Sequence, residues 1–186
     1  MLSRTADHLY WMARYTERAE NTVRMLDVCY RMSLLPGTNG GDTEGWSAIL
    51  DISELSDAYA RTGRPLTARD VIEFVALDRD NPSSVWNCLR AARENAHAVR
   101  GTLTAEMWET TNATWLEIRE VTPQKLQGMD LGEFFEWVKF RSHLLRGVTF
   151  GTMLHDEAFK FVRLGTFLER ADNTARLLDV KFHAVH

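Results

Sequence analysis

The chain has 186 residues, with 22 Lys and Arg against 26 Asp and Glu and a formal net charge of −4. That is one domain's worth of chain, and with 45% hydrophobic residues it can bury a sizeable core. The absence of an overall basic field argues against a nucleic-acid partner. Cys29 and Cys88 fit no zinc spacing and read as small core residues of a reducing compartment. The N-terminus lacks the apolar stretch of a signal peptide. No run of about 18 apolar residues spans a membrane, so the expected address is the cytoplasm.

Residues 3–34 read as one long amphipathic helix with Ser3 as its N-cap. Trp11, Tyr15, Ala19, Met12, Leu26, Val23, Thr16 and Leu9 fall on one arc of the wheel, and Arg14, Glu17, Asn21, Arg24 and Glu20 on the other. Pro36 to Asp42 is rich in glycine and ends that helix. A second helix is predicted over 45–61, stopped by Gly63. Thr67 and Asp70 have the form of a capping box, so a shorter helix begins there. Asn81 as N-cap and Pro82 as first helical residue open a helix over 82–100. Thr102 or Thr104 caps the next, to about Val121. Thr122-Pro123 and Gly128 mark a turn, and helices over 131–154 and 156–184 complete the chain. No stretch alternates with period two, so the expectation is an all-α antiparallel bundle of about seven helices in a single domain, 1–186.

The segment Glu17 to Val28 returns as Glu169 to Val180, at a constant offset of 152 residues with nine of twelve positions identical. Most of the polar positions keep their identity while apolar ones shuffle: Glu17/Glu169, Arg18/Arg170, Asn21/Asn173 and Arg24/Arg176 against Val23/Ala175 and Met25/Leu177. A solvated face tolerates change, so this face is engaged. Either it is a structural network, with Glu and Arg of the two helices satisfying one another, or it is a site converging on a ligand; charges buried without partners would cost several kcal/mol, so partners are required in both cases. The chain divides into a first repeat unit, 1–154, and the start of a second, 155–186. A piece of a protein about twice as long fits this better than a short member whose last helix closes the bundle. An unfinished second half would expose apolar surface, so a homo-oligomer is an expectation.

The stretch from Leu2 to Asn21, the elements Asp78–Ser84, Ala91–Arg100 and Glu106-Met107-Trp108, and the returning Gly165–Asp172 together resemble the bacterial alpha-E domain family. His97 departs from the pattern, which has Arg there. The resemblance implies an all-helical domain named for its glutamate-bearing motif, with no established activity. Members are encoded beside, or fused to, circularly permuted ATP-grasp proteins and transglutaminase-like proteins. The resemblance therefore implies a helical accessory or binding module of a peptide or amide-bond synthesis or modification system, with an ATP-grasp-type ligase, a transglutaminase-like protein or a peptide substrate as partner. The alternative is an enzyme of that system using Glu17 and Glu169 as acid–base groups, with Arg18 and Arg170 binding anions.

Other constellations are weaker. Glu94 and His97 have the Glu-x-x-His spacing of di-iron bundles, but no second copy exists, so no metal or cofactor is expected. His8, His143, His155, His183 and His186 lie in no nucleophile context. Gly37 to Gly41 lacks the ending of a P-loop. Trp86, Trp108, Trp115 and Trp137 read as core. A secondary candidate is the face formed by Arg90, Arg93, Glu94 and Arg100, which could pair with the glutamates of the first helix or bind an acidic ligand.

Overall fold

A computed structural model describes residues 1–35 and 43–185, with side chains described to Asp179. The loop expected at 36–42 and the side chains of His183 and His186 lie outside the described residues. Among the described residues the elements are α1 (Ser3–Ser33), α2 (Thr43–Ile52), α3 (Ser56–Ala60), α4 (Ala68–Leu77), α5 (Val85–Ala98), α6 (Ala105–Ile118), α7 (Pro123–Gly128), α8 (Leu131–Thr152) and α9 (Glu157–Val185), with no strand. The chain is an all-α bundle.

Threonine and aspartate caps set several starts. Thr67, Thr104 and Thr122 each accept a backbone N–H three residues on, and Asp130 takes those of Gly132 and Glu133. The cap of α5 differs from expectation. Ser84, not Asn81, accepts from the Asn87 backbone N–H. Asn81 is buried, donates to the Phe74 carbonyl and accepts from the Ser83 N–H. Asn87 Nδ2 gathers the Asp78, Arg79 and Asn81 carbonyls, so the 78–84 connector is clamped from within and the helix waits until Val85.

The helix expected over 45–61 is two helices. Glu54 takes φ 55°, a left-handed value rare for a side-chain-bearing residue. The Leu55 N–H reaches back to the Leu50 carbonyl at 2.7 Å, and the Leu55 side chain is buried. That geometry closes a helix C-terminus without glycine, and neither Gly nor Pro stands there to announce it.

α1 is the central rod. Contacts between His8 and Asn95 run it antiparallel to α5, and Asp27–Lys139, Glu20–Ser142 and Glu17–Arg146 run it antiparallel to α8. Trp86 on Trp115 and Arg93 on Asn112 pair α5 with α6; Trp137 on Glu117 and Thr104 on Thr152 pair α6 with α8. One apolar cluster lies towards the C-terminal half of α1, around Leu26, Val71, Val75 and Phe135. A second lies at its N-terminal half, around Leu9, Met12, Ala96, Met107, Leu145 and Val162.

α9 breaks the antiparallel pattern. Met1 meets Glu157, Tyr10 and Ala13 meet Gly165, and Glu17 meets Arg170, so α9 runs parallel to α1 and nearly in register with the 152-residue offset. The two copies of the motif thus face each other, related by a pseudo-two-fold axis running between the helices. Gly165 marks the closest approach: a Cβ there would fall 2.3 Å from the Tyr10 carbonyl oxygen. On the polar arc of α1, Glu17 and Glu20 are buried, while Arg24 and, further along, Val28 stay exposed.

Candidate functional site

The repeated glutamates and arginines exchange partners across the helix pair. Arg170 Nε donates to Glu17 Oε1 at 2.6 Å, and Arg18 Nε donates to Glu169 Oε1 at 2.6 Å. Each bond is the image of the other through the repeat. Further donors complete the carboxylates. Arg14 donates to Glu169 Oε2, while Arg146 from α8 reaches Glu17 Oε2 at 2.9 Å and Glu20 Oε2 at 2.8 Å. Ser142 Oγ donates to Glu20 Oε2 at 2.6 Å, Arg24 pairs with Glu20 Oε1 at 2.7 Å, and His143 Nε2 lies 3.3 Å from it. In the second copy, Arg176 pairs with Asp172 at 3.1 Å, repeating the Arg24–Glu20 contact, and reaches Glu54 at 2.7 Å. The left-handed turn at Glu54 places that carboxylate against α9.

Charge in this layer is compensated almost atom by atom. Burial by itself would raise the Glu20 carboxyl, but hydrogen bonds from Arg146, Ser142 and Arg24 outweigh it and hold the group at about 2. Asp27 is treated likewise: burial raises it, and Arg31 and Lys139 bring it below the usual range. Cys88, fully buried beside the Arg18–Glu169 pair, is pushed up to about 12 by burial and is a thiol without thiolate chemistry.

Beside this layer opens a cleft of about 120 Å³, between the two motif copies, the α2–α3 turn and the α4–α5 connector. Arg18, Asn21, Asn173 and Arg176 line it from the repeat, with Ser53 and Ser83 opposite. Glu169 and Asp172 also border it, so it offers both signs of charge with amides and hydroxyls between them. Asn21 Nδ2 is buried and has no hydrogen-bond partner among the described residues. A buried amide donor without an acceptor costs about 1–3 kcal/mol, and here it borders a cleft large enough for a small polar group.

All eight residues of the repeated polar face, Glu17, Arg18, Asn21, Arg24, Glu169, Arg170, Asn173 and Arg176, therefore fall in one contiguous region at the α1–α9 contact. The secondary candidates do not join it. Arg90 lies 3.8 Å from Glu94 and stacks on Trp86, while Arg93 and Arg100 stack on Trp108 and Arg93 donates to Asn112. The glutamates of α1 take Arg146, Arg24 and Arg170 as partners in place of this face. His97 sits 5.7 Å from the Trp108 ring. Among the described residues no group of three or more His, Cys, Asp or Glu is placed to hold a metal, and no helix is long and apolar enough to cross a membrane. Sequence reasoning did not pick out Arg146, Ser142, His143 and Glu54. The 142, 143, 146 spacing on one face of α8 is a signal for three of them.

The fold and this crossing define an all-helical domain built on a duplicated Glu-Arg motif. The chain belongs to the Alpha-E family, whose model matches residues 1–186 and is described as a predicted alpha-helical domain with a conserved ER motif. Glu-Arg stands twice in this sequence, at 17–18 and 169–170. Comparison with curated proteins and with solved structures gives no match.

Proposed function

We propose that the chain is a cytoplasmic helical binding module of a peptide or amide-bond synthesis or modification system, and that the cleft beside the Glu–Arg crossing takes a short segment of peptide. The carrying observation is Asn21, whose Nδ2 is buried with no acceptor among the described residues, and which lines a cleft together with Arg18, Arg176, Glu169 and Asp172. A peptide backbone or terminus supplies a carbonyl or carboxylate for the amide and arginines, and an amine or N–H for the carboxylates. The paired state of the glutamates supports binding over catalysis. Both oxygens of Glu17 and both of Glu169 already accept from arginine, so a general base there would have to give up an ion pair before taking a proton.

The test presents an ATP-grasp-type ligase as candidate partner, with and without a short peptide, in pull-down and calorimetry. Capture of ligase or peptide by the wild-type chain, lost in Asn21→Leu and Asn173→Leu variants with unchanged melting temperature, is the expected result. No capture of either by the wild-type chain, or capture untouched by both substitutions, rules the proposal out.

A further inference from the structure

The cleft beside the Glu–Arg crossing does not end at its polar walls. Asn21, Met25 and Asn173 line both this cleft and a second, larger hollow of about 430 Å³ between α1, α2 and α9. The two differ in chemistry. The cleft offers Arg18, Arg176 and Asp172. The hollow is walled by Met25, Val28 and Met32 from α1, Ile49 and Ile52 from α2, and Leu177 from α9. Among the described residues Arg24 is the single charge on its lining, and Glu20 holds it.

The repeat builds the passage between the two. Asn21 and Met25 stand one helical turn apart on α1, and 152 residues on their images, Asn173 and Leu177, stand one turn apart on α9. In each copy an amide is followed on the same face by a large apolar side chain, and all four line the hollow. Polar lining therefore gives way to apolar lining within one turn of each helix. Val28 is 56% exposed, Met32 52% and Leu177 40%. Apolar side chains grouped around a hollow of ligand size mark a binding pocket, whereas scattered ones do not. Met25 and Met32 add walls that adapt to varied apolar shapes.

We propose that the two cavities form one site, and that the peptide segment taken by the cleft carries a large apolar side chain, of the leucine, methionine or phenylalanine kind, that fills the hollow. Given the peptide-binding reading of the cleft, on which this rests, the hollow sets side-chain specificity. A peptide residue has the required make-up, with a polar backbone unit and a side chain on neighbouring atoms. Its backbone carbonyl supplies the acceptor that Asn21 Nδ2 lacks among the described residues. A wholly apolar ligand would leave that amide unpaired, and a wholly polar one would leave the walls of the hollow in water.

Calorimetry on the full chain tests this with N-acetylated, C-amidated Ala-Xaa-Ala tripeptides in which Xaa is alanine, leucine, phenylalanine or aspartate. The leucine and phenylalanine peptides should bind at least about tenfold tighter than the alanine peptide, and the aspartate peptide no tighter than alanine. Leu177→Glu and Val28→Glu, at exposed positions outside the Glu–Arg pairs, should abolish that preference with an unchanged melting temperature. Asn21→Leu should weaken the leucine peptide. Equal binding of all four peptides by the wild type, or tightest binding of the aspartate peptide, overturns the side-chain inference while the peptide reading stands; binding of none overturns both. A leucine preference that survives both glutamate substitutions, or a leucine-peptide affinity untouched by Asn21→Leu, also overturns it.

Discussion

Glu17 of α1 accepts the guanidinium of Arg170 from α9 at 2.6 Å, and neither residue is satisfied by its own sequence neighbour. The Glu-Arg dipeptide is split between two helices in each copy, so the Arg that follows Glu17 serves Glu169, and the Arg that follows Glu169 serves Glu17. A motif of two adjacent residues becomes a lock between two parallel helices, and this explains why its polar positions persist while apolar ones shuffle.

The lock depends most on a residue outside the motif. Arg146 bridges two buried carboxylates, Glu17 and Glu20, whereas Arg170 is half exposed and serves one. Removing one partner of a buried pair costs about 3–5 kcal/mol, and an exposed one about 0–1 kcal/mol. Arg146→Met is therefore expected to destabilise by about 3 kcal/mol in urea unfolding, and Arg170→Met by about 1 kcal/mol.

Glu20 makes stability pH-dependent in acid. Its carboxyl is held at about 2 in the fold against an ordinary 4.5. A lowered folded value adds stability that is complete above the unfolded value and is lost as pH falls through the folded one. The expected loss between pH 5 and pH 2 is on the order of 2 kcal/mol, reduced from the full linkage value because Arg24 and His143 are half exposed. Glu20→Gln should flatten the acid limb of the melting-temperature profile, although the variant is less stable at neutral pH.

Gly165 sets the helix spacing. A Cβ there meets the Tyr10 carbonyl at 2.3 Å, backbone that cannot turn aside. Gly165→Ala gains helix propensity of about 1 kcal/mol but must push α9 from α1, at an overpacking cost of about 1–3 kcal/mol plus weakened Glu–Arg pairs. The net expectation is a lower melting temperature, in contrast to a glycine in a solvated helix, where alanine stabilises.

Much of the fold was legible because it rests on local chemistry. Thr67 and Thr104 announce their helices by capping, and the repeat announces α9. What escaped was set by tertiary contacts. The break at Glu54 has no glycine or proline, because burial of Leu55 closes the helix. Asn81 reads as a cap by type, yet its amide is drawn to the Phe74 carbonyl, leaving the cap to Ser84. For the site, the repeat drew attention to Glu17, Arg18, Glu169 and Arg170 and left open a mutual network or a ligand site; in the fold their side chains pair across the two helices. The repeat could not show Arg146, whose register on α1 depends on how an antiparallel helix packs, nor the cleft, whose far wall comes from Ser53 and Ser83.

The crossing of partners is most directly tested by double-mutant cycles on unfolding free energy, one for Glu17 with Arg170 and one for Glu17 with Arg18. The exchange predicts a coupling of about 1 kcal/mol across 153 residues of sequence for the first pair and about zero for the adjacent second pair. Coupling concentrated in Glu17 and Arg18, with none between Glu17 and Arg170, would contradict it.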